Sequence, residues 1–389
     1  MTPASPLTID VACYYYTAEK VPLLYDAVLP AARQAQLLGL DVHLERHWLH
    51  GPHLRIRMTG QRDRVSEAAE TTAESLREYL RSRPSESDQD ASSLLREAVL
   101  RGRADLVAGP YEPIHPNNSV GIEPADESHI LQLLGSASAV ACRSNLLRTG
   151  MEPVAGSAEW LIQNSNSLTN RVWLALTAMV VHASAYPPGI VSGHQSFRSH
   201  LEDFLHLRDP GGKLRSSFDH AWRKRREQVT DHVALIATAE GCAGDPIAPA
   251  WKAWVKPALA VCTSAFERGE LPLVPGSGYK DQAWAIGDPE TVWRWDEQLR
   301  TSYSPYHTEL QKLDFLNLPG VAENFGPYRF ATNLLYLLLA LCDVTPLERY
   351  LAAYLLSEAI QSLTGTTWQE VMARHVAAVT GTGSEGGTR

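Results

Sequence analysis

The stretch Arg46-His47-Trp48-Leu49-His50-Gly51-Pro52-His53-Leu54-Arg55-Ile56-Arg57-Met58 constrains the chain most. A Gly-Pro turn signal separates two short runs that each alternate apolar and polar residues, which reads as a β-hairpin. Period two sends His53, Arg55 and Arg57 to one face of the second strand, and Leu54, Ile56 and Met58 to the other. Three potential cations in a row repel one another unless water or an anionic ligand compensates them. The pattern leaves both a solvated face and a ligand-holding face open.

The 389 residues, 44% of them apolar, can bury a sizeable core in one large or two ordinary domains. A formal net charge of -9 argues against a nucleic-acid binder driven by bulk charge. Cys13, Cys142, Cys242, Cys262 and Cys342 are scattered, odd in number and without C-x-x-C spacing. That favours structural thiols in a cytoplasmic protein over a disulfide frame or a zinc site. The start, Met1 to Pro6, lacks the basic region and apolar core of a signal peptide, and the longest apolar run, Leu334 to Cys342, is too short to span a bilayer. No repeat of fixed period is visible.

Along the chain, residues 8–16 read as a first strand, and apolar spacing from Glu19 to Leu38 predicts a helix. Pro22 fits the first turn of that helix, whereas Pro30 inside it implies a kink or a break. Hairpin strands are expected at 41–49 and 53–59, then a largely exposed helix over 62–81. Residues 83–93 read as a loop or disordered tip, 93–101 as a short helix, and 105–107 as a last strand running into an irregular, proline-rich loop to Gly121. The order strand, helix, strand, strand, helix is most of a split β-α-β unit of ferredoxin type. From about 125 helical period dominates, with helices expected at 126–148, 157–185, 195–208, 213–240, 249–268, 289–313, 327–342, 346–363 and 367–379. The expected class is therefore α+β: a ferredoxin-like antiparallel sheet unit (1–124), a large mostly helical portion packed on it (125–379), and a disordered tail (380–389).

Four constellations could carry chemistry. On the hairpin face, Arg55 and Arg57 beside His53 offer planar forks for a carboxylate, a phosphate or a peptide carbonyl. His194, Arg198 and His200 stand at the expected start of a helix, where free N–H groups favour an anion; the alternative is an ordinary cap with Ser196 as N-cap. Tyr303, Tyr306 and His307 combine hydroxyl donors with a proton carrier, or pack as part of a core. Arg329 and Asn333, four apart at the head of an apolar helix, share a face. No Walker A loop, G-x-G-x-x-G, H-E-x-x-H or G-x-S-x-G is present, which leaves a cofactor-free enzyme or a binding protein.

Gly51 to Arg57 resembles the G-P-H-L-R-x-R element of the lantibiotic dehydratase C-terminal (thiopeptide-type bacteriocin biosynthesis) family. Tyr111-Glu112-Pro113 lies where that family has its Y-E-P segment, and Arg329 to Leu335 resembles its H-x-x-x-N-R helix. The resemblance implies a ferredoxin-like sheet decorated by helices and a ribosomally made precursor peptide, leader plus core, as partner. A homodimer is compatible with it; no nucleic acid, membrane, metal or cofactor is expected. Among stand-alone members, one activity eliminates glutamate from glutamylated Ser and Thr. The other, the thiopeptide pyridine synthase, joins two dehydroalanines by a formal [4+2] cycloaddition and then loses water and the leader peptide. The eliminases use two hairpin arginines, matched by Arg55 and Arg57, an arginine in the Y-E-P segment, where this chain has Asn117, and a histidine that has no match near Arg329. These departures favour the pyridine synthase. Tyr303, Tyr306, His307 and His200 are then expected to carry the chemistry. His53, Arg55, Arg57, Tyr111, His194, Arg198, Arg329 and Asn333 are expected to hold the peptide. A non-catalytic leader-peptide-binding protein is the third reading.

Overall fold

Strand β1 (Leu7–Tyr14) runs between two antiparallel neighbours, β3 (His53–Gly60) and β4 (Ser119–Pro124), and β2 (Asp41–His47) completes the sheet in the order β2-β3-β1-β4. This is the ferredoxin-like order. The computed structural model describes residues 6–273, 277–313, 317–318 and 320–381, with backbone alone at 277 and 375–381. The sequence separator at 272–278 therefore lies partly, and the tail from residue 382 wholly, outside the described residues.

Between β1 and β2 the chain is helical over α1 (Val21–Leu23), a π turn (Leu24–Val28) and α2 (Leu29–Leu37). Pro30 sits at the start of α2, and the widened turn before it removes the need for the N–H that proline lacks. Helix α3 (Arg62–Ser82) packs on β1, β3 and β4. The apolar sheet face turned inward includes Val11, Leu44, Leu54, Ile56 and Met58, each at most 1% exposed. Burial of side chains this size contributes about 1.5–3 kcal/mol apiece.

Helix α4 (Ala91–Asp105) runs further than expected and ends with Leu106 in the left-handed region (φ 59), so 105–107 is no strand. The fourth strand is Ser119–Pro124 instead, beginning inside the stretch read as irregular loop. The 83–93 connection is anchored, because Ser85 is buried and its Oγ accepts from the Thr17 N–H at 2.7 Å.

The helices that follow are α5 (Ser128–Leu134), α6 (Ala137–Thr149), α7 (Met151–Asn164), α8 (Leu168–Ser184), α9 (Ile190–Arg208), α10 (Lys213–Ala237) and α11 (Ala239–Gly244). Then come α12 (Ala248–Glu267), α13 (Ser277–Ile286), α14 (Pro289–Trp295), α15 (Pro305–Gln311), α16 (Val321–Leu341), α17 (Pro346–Thr364) and α18 (Trp368–Gly381). Two expected long helices, 126–148 and 157–185, are broken where the backbone takes positive φ, at Gly135 (φ 78) and Ser165 (φ 74). No helix among the described residues is long and apolar enough to cross a membrane.

The chain forms two compact units. The first comprises Met1–Arg171, Ser264–Arg300 and Asn333–Val344; the second comprises Val172–Thr263, Thr301–Thr332 and Thr345–Arg389. In the first, Asp343 accepts from the backbone of Lys20 and Val21 and from Arg46, which fixes the start of α1. In the second, α17 packs on α9 and α10, and Phe197, Trp251 and Tyr328 lie wholly buried.

Candidate functional site

The strand register lines the polar sheet face up in rows. Tyr14, His53 and His47 form one; Ala12, Arg55 and Glu45 the next; Asp10, Arg57 and His43 the third. Arg57 Nε and Nη2 each donate to one oxygen of Asp10, both at 2.7 Å, and Nη1 lies 3.3 Å from Glu127. Arg55 donates to Glu45, and Arg143 of α6 reaches the other Glu45 oxygen at 2.6 Å. The anions that Arg55 and Arg57 require are thus carboxylates of the same unit. Burial alone would raise the Glu45 carboxyl, but the Arg143 and Arg55 guanidiniums, helped by His43, hold it well below its usual range. For Arg57 the hydrogen bonds and charge of Asp10, with Glu45 and Glu127, outweigh the opposite pull of burial and raise its pKa.

His53 is buried, with Nδ1 2.8 Å from the Gly51 carbonyl, and burial followed by the Arg55 charge lowers it to about 3. Its ring lies 4.8 Å from that of Tyr14. Tyr111 closes the neighbouring loop, donating to the Val107 carbonyl at 2.8 Å with its ring against Trp48. Asn117 ties loops together, accepting from the Tyr16 N–H at 3.0 Å and donating to the Ser85 carbonyl at 3.1 Å. Beyond the third row a cavity of about 420 Å³ opens, lined by Thr8, His43, Thr59, Glu127, Val140 and Arg148 among others.

In the second unit, α9 starts at Ile190 behind Gly189 (φ 88), so His194, Arg198 and His200 lie inside a helix and not at its N-terminus. Ser196 is buried mid-helix and caps nothing; the expected anion site at a helix start is absent here. The positive φ of Gly189 after two prolines sets the true start. His194 donates from Nδ1 to the Ile190 carbonyl at 3.1 Å, and burial, then Arg198, lowers it to about 4. Arg198, 3% exposed, stands 3.7 Å from Glu202 and 3.8 Å from Glu358. Glu202 is also paired with Arg215 at 2.6 Å.

The expected helix 289–313 is interrupted, and Ser304 caps α15. Within α15, His307 places Nδ1 2.7 Å from Ser304 Oγ and Nε2 2.9 Å from Ser199 Oγ. Tyr306 is a core residue: its hydroxyl donates to Gln195 at 3.1 Å, its ring meets Trp368, and burial raises its pKa. His200 is half-buried; burial, then Arg349 and Arg329, lowers it to about 4, with His307 adding to the effect. Tyr303 is half-buried in the segment leading to the cap. Arg329 and Asn333 lie in the interior of α16, not at its head, and fall in the second and first unit respectively.

Glu202, His206, Arg215, Ser304, Pro305 and Trp368 line much of a cleft of about 430 Å³ in this unit, and His206 Nε2 is 2.8 Å from Ser302 Oγ. The cleft joins an indole wall to the half-exposed Arg215–Glu202 ion pair, and His206 and Ser304 in its wall each make a histidine–serine contact. That is suited to gripping a polar chain and moving protons. Among the described residues, no group of three or more His, Cys, Asp or Glu is placed to hold a metal ion.

Solved structures include the pyridine synthase TbtD from thiomuracin biosynthesis, which superposes with a TM-score of 0.70 over 92% of this chain and 99% of that one, at 22% identity. The chain has the TbtD fold. TsrL shares it, with a TM-score of 0.64, 17% identity, and 96% and 99% of the two chains covered. The tRNA-dependent lantibiotic dehydratase MibB from Microbispora sp. 107891 gives a TM-score of 0.48 at 11% identity, with 94% of this chain set against 29% of that one. No family model matches the chain, and no curated protein matches it. The TbtD-like fold accounts for nearly the whole chain, helical part included.

Asp10 and Glu45 on the sheet, Glu127 and Arg143 beside it, Glu202, His206, Ser304 and Trp368 at the cleft, and Ser199 against His307 are the neighbours that sequence reasoning did not single out. Alternation in β1 and β2 does put Asp10 and Glu45 on the polar face. Their partnership with Arg57 and Arg55 needs the register.

Proposed function

We propose that this chain is an enzyme that modifies a ribosomally made precursor peptide, and that it acts as a thiopeptide-type pyridine synthase. It would join two dehydroalanines by a formal [4+2] cycloaddition, then release water and the leader peptide. The end-to-end match with the TbtD fold carries this reading. The occupied arginine forks support it over glutamate elimination. A departing glutamate needs free cationic partners, and Arg57 and Arg55 already hold Asp10 and Glu45.

The reaction asks the protein to fold a peptide so that two alkenes meet, and to supply donors and a proton carrier for the two losses that aromatise the ring. His307 and His200, with Tyr303 close to His307 in sequence, are our candidates for that work, and the buried Tyr306 supports them through its packing. Arg215, in the cleft wall, would order the peptide, and buried Arg198 would brace Glu202 behind it. Arg55 and Arg57 act through the sheet they brace.

A paired assay tests the choice. Purified protein should release no glutamate from a peptide glutamylated on Ser or Thr; release with formation of a dehydro residue would replace this reading with elimination.

A further inference from the structure

Two serines bracket His307. Ser304 Oγ accepts the His307 backbone N–H at 3.2 Å as the cap of α15, and lies 2.7 Å from His307 Nδ1. Ser304 is 1% exposed, and a buried hydroxyl needs an acceptor for its own proton. Nδ1 is that acceptor. The ring proton then sits on Nε2 and is donated to Ser199 Oγ at 2.9 Å. Ser304 also forms part of the cleft wall, next to Pro305 and across from Glu202 and Arg215 of α9 and α10.

We propose that Ser304, His307 and Ser199 form a proton relay that opens on the cleft through Ser304. The inference rests on the pyridine-synthase reading and names the groups that move its protons. Each of the two losses breaks a C–H bond and forms C=C while a C–O bond, or the C–N bond to the leader, breaks. The substrate proton passes to Ser304 Oγ as the Ser304 proton passes to His307 Nδ1, and the resulting imidazolium is held by Ser199. The reverse path delivers a proton to the departing hydroxyl, which leaves as water, or to the departing leader nitrogen. The proton taken is the proton returned, so no other reactant is required.

The test uses the full-length protein and a leader-bearing peptide with two preformed dehydroalanines. Ser304→Ala and His307→Gln should each lower kcat by about a hundredfold or more with KM little changed. Ser304→Asn keeps a capping acceptor without a hydroxyl, so it should fold and be as slow. Ser304→Thr restores the hydroxyl and should recover most of the rate. Nitrogen-15 spectra of histidine-labelled protein should show His307 protonated on Nε2 only, and Ser304→Ala should disturb that signature. A folded Ser304→Asn with wild-type kcat, or a His307 protonated on Nδ1, overturns the relay while leaving the reaction standing. A wild-type protein inert on this peptide overturns the pyridine-synthase reading, and the relay with it.

Discussion

Arg57 and Asp10 are register partners across β3 and β1, and both guanidinium N–H groups that face the carboxylate reach it at 2.7 Å. Arg57 is 2% and Asp10 7% exposed, so neither charge has water to fall back on. Removing Asp10 leaves the buried Arg57 with only Glu127 at 3.3 Å in place of two short hydrogen bonds, which costs about 3 kcal/mol. Asp10→Ala should lower unfolding stability by that amount in urea titration. Asp10→Leu combined with Arg57→Met should cost clearly less than the single change.

Glu45 lies between Arg55 and Arg143, which hold its carboxyl well below 4.5 in the folded state against the opposing effect of burial. An unfolded chain binds that proton near 4.5 and the folded chain does not. The stability it contributes is therefore complete above about pH 4.5 and is lost as pH falls toward the depressed folded value. Glu45→Gln should flatten this acid limb in denaturation series run from pH 3 to 7. Glu45→Ala should open a carboxylate-sized gap between two arginines, so added formate should raise its melting temperature and leave wild type unmoved.

Three buried histidines set a second, higher pH window. His53 and His182 are lowered to about 3 and His194 to about 4, with burial the main cause in each. All three stay neutral when folded but take up a proton below about 6.5 when unfolded. Stability present above that value is lost as pH falls. At pH 5 each forfeits about 2 kcal/mol. Melting temperatures should drop steeply from pH 7 to pH 5, and His182→Gln should make the slope shallower.

Gly193 lets α9 approach α8. A methyl group there would strike the Ala183 carbonyl oxygen and stand 2.9 Å from Tyr186 Cβ. The Gly193 carbonyl also accepts from the Tyr328 hydroxyl at 2.9 Å. Gly193→Ala should cost about 1–3 kcal/mol by overpacking, read by thermal or urea unfolding.

The hairpin was legible because its signals are local: a Gly-Pro turn and strict alternation give strands within two residues of those observed, at 41–47 and 53–60. The ferredoxin-like order followed from the element sequence. The last strand was not legible, because Val120 and Ile122 alternate over too few residues and a glycine lies between them. Its expected place, 105–107, was taken by a helix end. The fate of the cationic face was hidden for another reason. Which carboxylate meets Arg55 depends on pairing residues 10 apart, and which meets Arg57 on residues 47 apart. The Ser199–His307 contact spans 108 residues, beyond any local pattern.

The most direct measurement is mass spectrometry of a leader-bearing peptide with two preformed dehydroalanines after incubation with the purified protein. The predicted result is a product lighter by one water and separated from its leader, with the ultraviolet absorbance of a new pyridine. Recovery of the intact peptide, together with glutamate release from a glutamylated one, would contradict the account.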